Sequence, residues 1–148
     1  MKKENVIKQL ECLQKEVDEL KAIIDKPVNI LERVFTWEDV CEEDGICPVN
    51  SLPFKNPNNK IERKINASFK LSKISDILNE KISLNWSDPN SRKWYNWYTY
   101  TGSGWVYCWS DCYCSGSRGE VAFYLTEEKA IHANKYFNNV YLEFLNNH

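Results

Sequence analysis

The stretch that decides the fold is a pair of aromatic runs at residues 92–114, RKWYNWYTYTGSGWVYCWSDCYC. Both runs, 92–100 and 105–114, are rich in the tryptophan, tyrosine, valine and threonine residues that favour strands. Residues 101–104 between them contain two glycines, which suit the tight connection of an antiparallel pair. The pattern therefore predicts a β-hairpin.

A third strand and a final helix are predicted after the hairpin. Residues 120–125 form a short apolar run behind a glycine- and serine-rich turn. Thr126 then provides an N-cap, with two glutamates in the first helical turn, where carboxylates are favourable. The following segment carries one apolar face, made by Ala130, Ala133, Phe137, Val140, Tyr141 and Phe144. We expect this C-terminal helix to pack against the hairpin.

The sequence before the hairpin predicts one strand and two helices. Residues 28–35 have the composition of a short strand, and Thr36 begins a capping-box helix that Gly45 ends. Residues 45–64 contain three prolines and no periodicity, which predicts a long loop that is either mobile or functional. Residues 65–82 show apolar side chains at near-helical spacing. Helices beside a small antiparallel sheet indicate the α+β class.

The N-terminal residues carry the pattern of a coiled-coil helix. Within residues 4–26 apolar side chains alternate at spacings of four and three, at Val6, Leu10, Leu13, Val17, Leu20 and Ile24. Mostly β-branched residues at a and leucines at d favour a parallel dimer, in which Glu16 at g can pair with Lys21 at the following e. Packing of this seam on the protein's own domain is the alternative.

The chain divides at Pro27, which lacks an N–H and ends the first helix. We expect a coiled-coil oligomerisation helix at 1–26 and a compact α+β binding domain at 27–148. With 43% hydrophobic residues in 148, one domain can bury a core of its own. The net charge of −2 gives no overall field that would draw the protein to nucleic acid or to an anionic membrane.

The sequence shows neither a secretory signal nor a run of apolar residues long enough to span a membrane, which predicts a cytoplasmic protein, in the host cell cytosol. The six cysteines are then expected as free thiols. A zinc site is not expected, because Cys108 and Cys112 would lie roughly 13 Å apart in a strand at about 3.3 Å per residue. The sequence also lacks a C-x2-C pair.

Strict alternation along the second run predicts one aromatic and one small face. The aromatic face would carry Trp105, Tyr107, Trp109, Asp111 and Tyr113. The small face would carry Val106, Cys108, Ser110, Cys112 and Cys114, and would pack against the C-terminal helix. The aromatic face is then partly free to bind.

The hairpin region is unusually rich in aromatic rings, which either fill the core or form a binding surface. They are Trp86, Trp94, Tyr95, Trp97, Tyr98, Tyr100, Trp105, Tyr107, Trp109 and Tyr113. We favour a binding surface on which rings stack a base and arginines contact phosphate. The predicted ligand-binding residues are Arg92, Trp94, Trp97, Trp105 and Arg118.

Catalytic motifs are not evident in the sequence. His132 is expected on the polar side of the last helix, and the other histidine is the final residue, His148. No phosphate-binding loop, nucleophile elbow or zinc-protease motif occurs. We therefore expect neither an enzyme nor a bound cofactor or metal.

Short motifs in the second half of the chain follow a distinctive order: LNWSD at 84–88, KWYNWY at 93–98, GW at 104–105, VAFYLTEEKA at 121–130 and FNNVYLEFL at 137–145. This order resembles small proteins encoded by phages and prophages of gut bacteria. Those proteins also tend to begin with a short coiled coil and a Thr-aromatic-Glu-Asp helix start, as at 36–39 here.

In size and layout the chain is similar to the Thoeris anti-defense family of phage proteins. Members of that family are oligomeric sponges that sequester cyclic ADP-ribose isomers, and in some cases cyclic oligonucleotides, without cleaving them. The resemblance implies a cytosolic oligomer that captures a nucleotide immune signal. The alternative is a protein-binding module, either an inhibitor of a host defence nuclease or a small virion-associated part.

Overall fold

A computed structural model describes residues 7, 10–18, 21, 29–113 and 122–146. A 3-10 helix at Ile30–Glu32 is followed by helices α1 (Trp37–Asp44) and α2 (Lys60–Leu78). Strands β1 (Lys93–Tyr100) and β2 (Trp105–Tyr113) then form an antiparallel hairpin, and α3 (Glu127–Asn146) ends the described chain. The small sheet packed by a C-terminal helix confirms the predicted α+β class.

Helix α1 forms as its capping signals predict. The Thr36 hydroxyl accepts from the Asp39 N–H, and the Asp39 carboxylate accepts in return from the Thr36 N–H. The hydrogen bond from the Phe35 N–H, with those from Thr36, lowers the pKa of Asp39 below its ordinary value. Gly45 ends the helix at φ 70°, in the left-handed region that glycine adopts without strain.

The loop after α1 is shorter than predicted and is tied to the domain. Helix α2 begins at Lys60, capped by the Asn59 side chain, and not at residue 65. The buried Asn66 side chain accepts from the Phe54 N–H at 2.9 Å and donates to the Phe54 carbonyl at 2.7 Å. The paired hydrogen bonds hold the loop against α2.

The core lies between α2 and α3. Its largest fully buried apolar side chains include Leu71, Ile74, Leu78, Phe137, Tyr124, Val34 and Val40. Helix α3 is kinked at Phe137, where φ is −119° and ψ is 18°. The kink falls within the face that packs on α2 and on the hairpin.

The strand predicted at residues 28–35 is wrong in the described part, 29–35. Ile30–Glu32 is a 3-10 helix, and the Asn29 side chain accepts from the Leu31 N–H at its start. Ile30 and Val34 lie four residues apart and are both buried, at 4% and 0% exposed. Helical spacing of two core residues therefore outweighs the strand propensity of the segment.

The strand predicted at 120–125 is reduced to one bridge within residues 122–125. Tyr124 pairs with Trp94 through two main-chain hydrogen bonds, of 2.8 and 2.7 Å. Asn79 donates to the Phe123 carbonyl and accepts from the Leu125 N–H, both at 2.9 Å. The buried Asn79 side chain thus forms the hydrogen bonds that a neighbouring strand would form with these main-chain groups in a regular sheet.

Residues 10–18, with 7 and 21, are helical, as the sequence predicts for the N-terminus. Leu10, Leu13 and Val17 of the predicted seam are 61%, 57% and 43% exposed. The seam residues Val6, Leu20 and Ile24 lie outside the described residues, and the coiled coil stays a prediction. Within the described part of the chain, no helix has the length and apolarity needed to cross a membrane.

Candidate functional site: the outer face of the hairpin

A β-bulge sets which side chains the hairpin presents. Trp97 pairs with Trp109, but the next pair is Tyr98 with Tyr107, so Cys108 is an extra residue in β2. An extra residue reverses the alternation of side chains on the bulged strand. β2 therefore changes face at Cys108.

The predicted alternation of β2 is consequently wrong. Trp105 and Tyr107 lie on the face of Tyr98, which packs toward α3, whereas Trp109 and Asp111 lie on the opposite face. We call these the inner and the outer face. Of the predicted small residues, Val106 lies on the outer face and Ser110 and Cys112 on the inner face, while Cys108 is the bulged residue. Cys114 lies outside the described residues.

A buried polar network fixes the inner face to α3. Asn96 donates to the Ala130 carbonyl at 2.9 Å and to the Tyr141 hydroxyl at 3.2 Å, and accepts from the Ser110 hydroxyl at 2.8 Å. The Tyr141 hydroxyl also lies 2.6 Å from that of the fully buried Tyr124. Burial raises the pKa of Tyr141 to about 12, so these hydroxyls stay protonated near neutral pH.

The outer face is covered at one end and open at the other. Phe123 packs on Tyr95 at a ring-centroid distance of 5.9 Å, which leaves Tyr95 3% exposed. Beyond this cover, Trp97, Trp109 and Val106 are 39%, 56% and 49% exposed. We call the surface formed by Trp97, Thr99, Val106 and Trp109 the tryptophan face.

A small apolar cavity borders the tryptophan face. It encloses about 180 Å³, and Trp97 contributes to its wall together with Tyr95, Tyr98 and Phe144. The cavity lies between β1 and the C-terminal part of α3, because Tyr141 and Leu145 also line it.

The structure does not gather the predicted ligand-binding residues into one site. Trp97 lies on the tryptophan face, but Trp94 packs against the core from the inner side. Trp105 contacts Tyr100 at the far end of the hairpin, with ring centroids 5.5 Å apart. A platform made of Trp94, Trp97 and Trp105 is therefore wrong, because side chains of opposite parity point to opposite faces.

Of the two predicted arginines, only Arg92 lies within the described residues. Arg92 is exposed and precedes β1, five residues from Trp97, which is roughly 16 Å at about 3.3 Å per residue. Arg118 lies outside the described residues. Trp109 was not among the predicted ligand-binding residues, although it pairs with Trp97. This pairing depends on the position of the bulge, which no local sequence signal marks here.

Lys93 is the only basic residue in β1 or β2, and it is held away from the tryptophan face. It is 0% exposed, and its ammonium donates to the carbonyls of Asp88 and Ser91 at 3.0 and 2.7 Å. The Trp86 ring covers the same ammonium at 5.6 Å from its centroid. The two described strands therefore offer a ligand aromatic surface without an exposed cation.

His132 and the Cys41 thiol are both buried. His132, predicted on a polar helix face, is 8% exposed, and its Nε2 lies 2.6 Å from the Val34 carbonyl. That prediction is wrong because residues 29–35 return over α3 and cover the ring, as the Phe35 contact at 5.6 Å shows.

Burial raises the pKa of the Cys41 thiol to about 11, which disfavours the reactive thiolate. Among the described residues, no group of three or more His, Cys, Asp or Glu side chains is placed to hold a metal ion.

Comparison with known proteins adds no relative. The sequence matches no protein-family model, and no curated protein or solved structure shows significant similarity to it. The candidate site is therefore defined by its geometry alone.

Proposed function

We propose that this chain is a non-catalytic binding protein that captures a nucleotide through the tryptophan face. The ligand class is a cyclic nucleotide immune signal, a cyclic ADP-ribose isomer or a cyclic oligonucleotide, which the protein sequesters without cleaving it. In this proposal the protein is phage-encoded, acts in the host cell cytosol and serves immune evasion. It functions as a homo-oligomer through residues 4–26, with no cofactor.

The observation that carries the proposal is the exposure of the directly paired Trp97 and Trp109. Burying a large apolar side chain contributes about 1.5–3 kcal/mol, so two indole rings left in water represent binding energy that folding has not used. A base stacked on an aromatic ring contributes about 1–3 kcal/mol. The pair can hold one or two bases side by side.

Phosphate contacts in this proposal come from outside the strands. Arg92 is exposed at the start of β1, and Arg118 follows β2 in the sequence. An arginine binds phosphate oxygens as a bidentate donor and keeps its charge at any physiological pH. Arg118→Ala is expected to abolish tight binding, and unchanged affinity would remove Arg118 from the site.

The test for sequestration is heat release. The purified protein is mixed with a panel of cyclic ADP-ribose isomers and cyclic di- and trinucleotides, freed of unbound compound and then heated. We expect one compound of the panel to be recovered with its mass unchanged. Recovery of a product of altered mass would show an active site and contradict sequestration.

A second candidate function is a protein-binding module, such as an inhibitor of a host defence nuclease or a virion-associated part. The charge of the tryptophan face favours it, because β1 and β2 supply no exposed cation to pair with a phosphate. Exposed tryptophans beside Val106 also have the composition of an interface hot spot. A stoichiometric complex with one host protein that Trp109→Ala disrupts, with no nucleotide recovered, would select this function.

A further inference from the structure

The described N-terminal helix carries an apolar stripe that no described part of the domain covers. Leu10, Leu13 and Val17 occupy consecutive a, d and a positions and are 61%, 57% and 43% exposed. Ile7, at a flanking e position, is 52% exposed. A helix of about 20 residues is marginal alone in water, so an uncovered stripe of this kind requires a partner.

The spacing of the stripe indicates another helix as that partner. Its residues follow the four-three alternation of a coiled-coil seam, which fits knobs from a facing helix into holes formed by four residues. Along the sequence this alternation is strict from Val6 to Ile24, whereas a stripe with the 3.6 period of a globular surface would drift by about 20° per heptad over that length. Leu10, Leu13 and Val17 are the described members of the alternation.

Charge selects a second copy of the same chain in parallel orientation. In a parallel, in-register pair, g of one helix faces the following e of the other, which places Glu16 opposite Lys21 twice. An antiparallel pair brings g against g and e against e, so that Glu16 no longer faces Lys21. The Glu16–Lys21 pairing is thus available only in the parallel orientation.

We propose that the helix with Leu10, Leu13 and Val17 in its seam binds a second copy of this chain as a parallel, in-register two-stranded coiled coil. The inference rests on the homo-oligomer of the proposed function, to which it adds the number and orientation of the chains, and it uses no residue of the tryptophan face. Its consequence is bivalency: both chains leave the coiled coil at the same end, so the two binding domains lie on the same side.

The mass of the full-length protein in solution gives the first test. Light scattering after size-exclusion chromatography is expected to give twice the 17.5 kDa of one chain. Leu13→Glu is expected to give a single chain with an unchanged circular-dichroism melting transition of the domain. A wild-type mass of one chain, or a Leu13→Glu variant that stays dimeric, would overturn the inference.

Cross-linking tests the orientation. A disulfide requires Cα atoms within about 7 Å, and residue 13 meets its own copy at that distance only in a parallel, in-register pair. In a Cys12→Ser background, Leu13→Cys is expected to form a covalent dimer on mild oxidation, and the outward-facing Lys15→Cys is the matched control. Equal cross-linking of both variants, or none of Leu13→Cys, contradicts parallel register.

A charge exchange tests the Glu16–Lys21 pairing. Glu16→Lys is expected to raise the dissociation constant of the dimer about tenfold at low salt, because it faces lysine with lysine. The double exchange Glu16→Lys/Lys21→Glu should bring it back to within about threefold of the wild type. A double exchange no tighter than the single one would exclude the pairing.

Discussion

Trp97 of β1 and Trp109 of β2 stand directly opposite each other on the outer face of the hairpin, next to the bulge at Cys108. Tyr95, two residues earlier on the same face, is covered by Phe123, whereas both indole rings remain open to solvent. The bulge adds a second separation, because it turns Tyr107 inward against Tyr98 and leaves Trp109 outside. The fold thus separates rings that stabilise the domain from rings available for binding.

Removing the exposed rings should affect binding far more than stability. Trp97→Ala and Trp109→Ala are each expected to abolish nucleotide uptake. Trp109→Ala should lower the free energy of unfolding by about 1 kcal/mol and Trp97→Ala by about 2 kcal/mol, because the Trp97 ring is only 39% exposed and packs on Tyr95. Trp94→Ala is the matched control, because that ring packs on the core and its loss should cost about 3 kcal/mol. Urea unfolding and a binding titration on the same preparations measure both effects. A large loss of stability in Trp109→Ala would place that ring in the core.

The bulge itself can be tested by deleting one residue. Deletion of Cys108 places Tyr107 directly before Trp109, so strict alternation then keeps Tyr107 on the inner face and Trp109 on the outer face. The pairs from Tyr98–Tyr107 to Tyr100–Trp105 and the Tyr107–Tyr98 ring contact are kept, so we expect the deletion variant to stay within about 1 kcal/mol of the wild type by chemical denaturation. Cys108→Ser keeps the extra residue and should also stay within about 1 kcal/mol. A loss of more than about 3 kcal/mol in the deletion variant would refute the assignment of Cys108 as the extra residue.

Asn79 is expected to be a strong stability determinant although it is polar. It is 3% exposed and bonds both Phe123 and Leu125, so Asn79→Ala leaves a buried carbonyl and a partly buried N–H unsatisfied. The expected cost is about 2–4 kcal/mol, with faster hydrogen exchange at the Leu125 amide. Asn85→Ala, at an exposed position that bonds only the Ser87 N–H, is the control and should cost under about 1 kcal/mol. Unchanged exchange at Leu125 would mean that Asn79 does not hold this segment.

Alkaline pH should unfold the protein through the buried tyrosine pair. Burial raises the pKa of Tyr141 to about 12 and that of Tyr124 well above its ordinary value of 10.0. A pKa that is higher in the folded state contributes stability that is fully present below pH 10 and is lost as pH rises from 10 toward 12. We expect the unfolding free energy to fall over this window, and to fall less steeply in Tyr141→Phe. Parallel pH profiles of the two proteins would show that the pair does not titrate with folding.

The hairpin and the capped helix starts were predictable because their signals are local. The glycines at 102 and 104 lie at φ 88° and 154°, and the Thr36 capping box depends on residues three apart. The class, the order of the helices and the hairpin bounds follow from such short-range patterns.

The remaining features depend on contacts distant in sequence. Asn79 reaches a segment 44 residues away, and His132 is buried by the carbonyl of Val34, 98 residues earlier. Neither partner can be identified from a window of neighbouring residues. The bulge at Cys108 is decided by how Tyr107 packs against Tyr98 and α3, so the alternation inferred from residues 105–114 failed at that residue.

The binding face is tested most directly by native mass spectrometry of the wild type and of Trp97→Ala/Trp109→Ala. Both proteins are mixed with the same panel of cyclic ADP-ribose isomers and cyclic oligonucleotides, with Trp94→Ala as a third sample. The account predicts that the wild type and folded Trp94→Ala take up one compound of the panel and that the double variant takes up none. Uptake by the double variant equal to that of the wild type, or no uptake by the wild type, would contradict nucleotide capture by the tryptophan face.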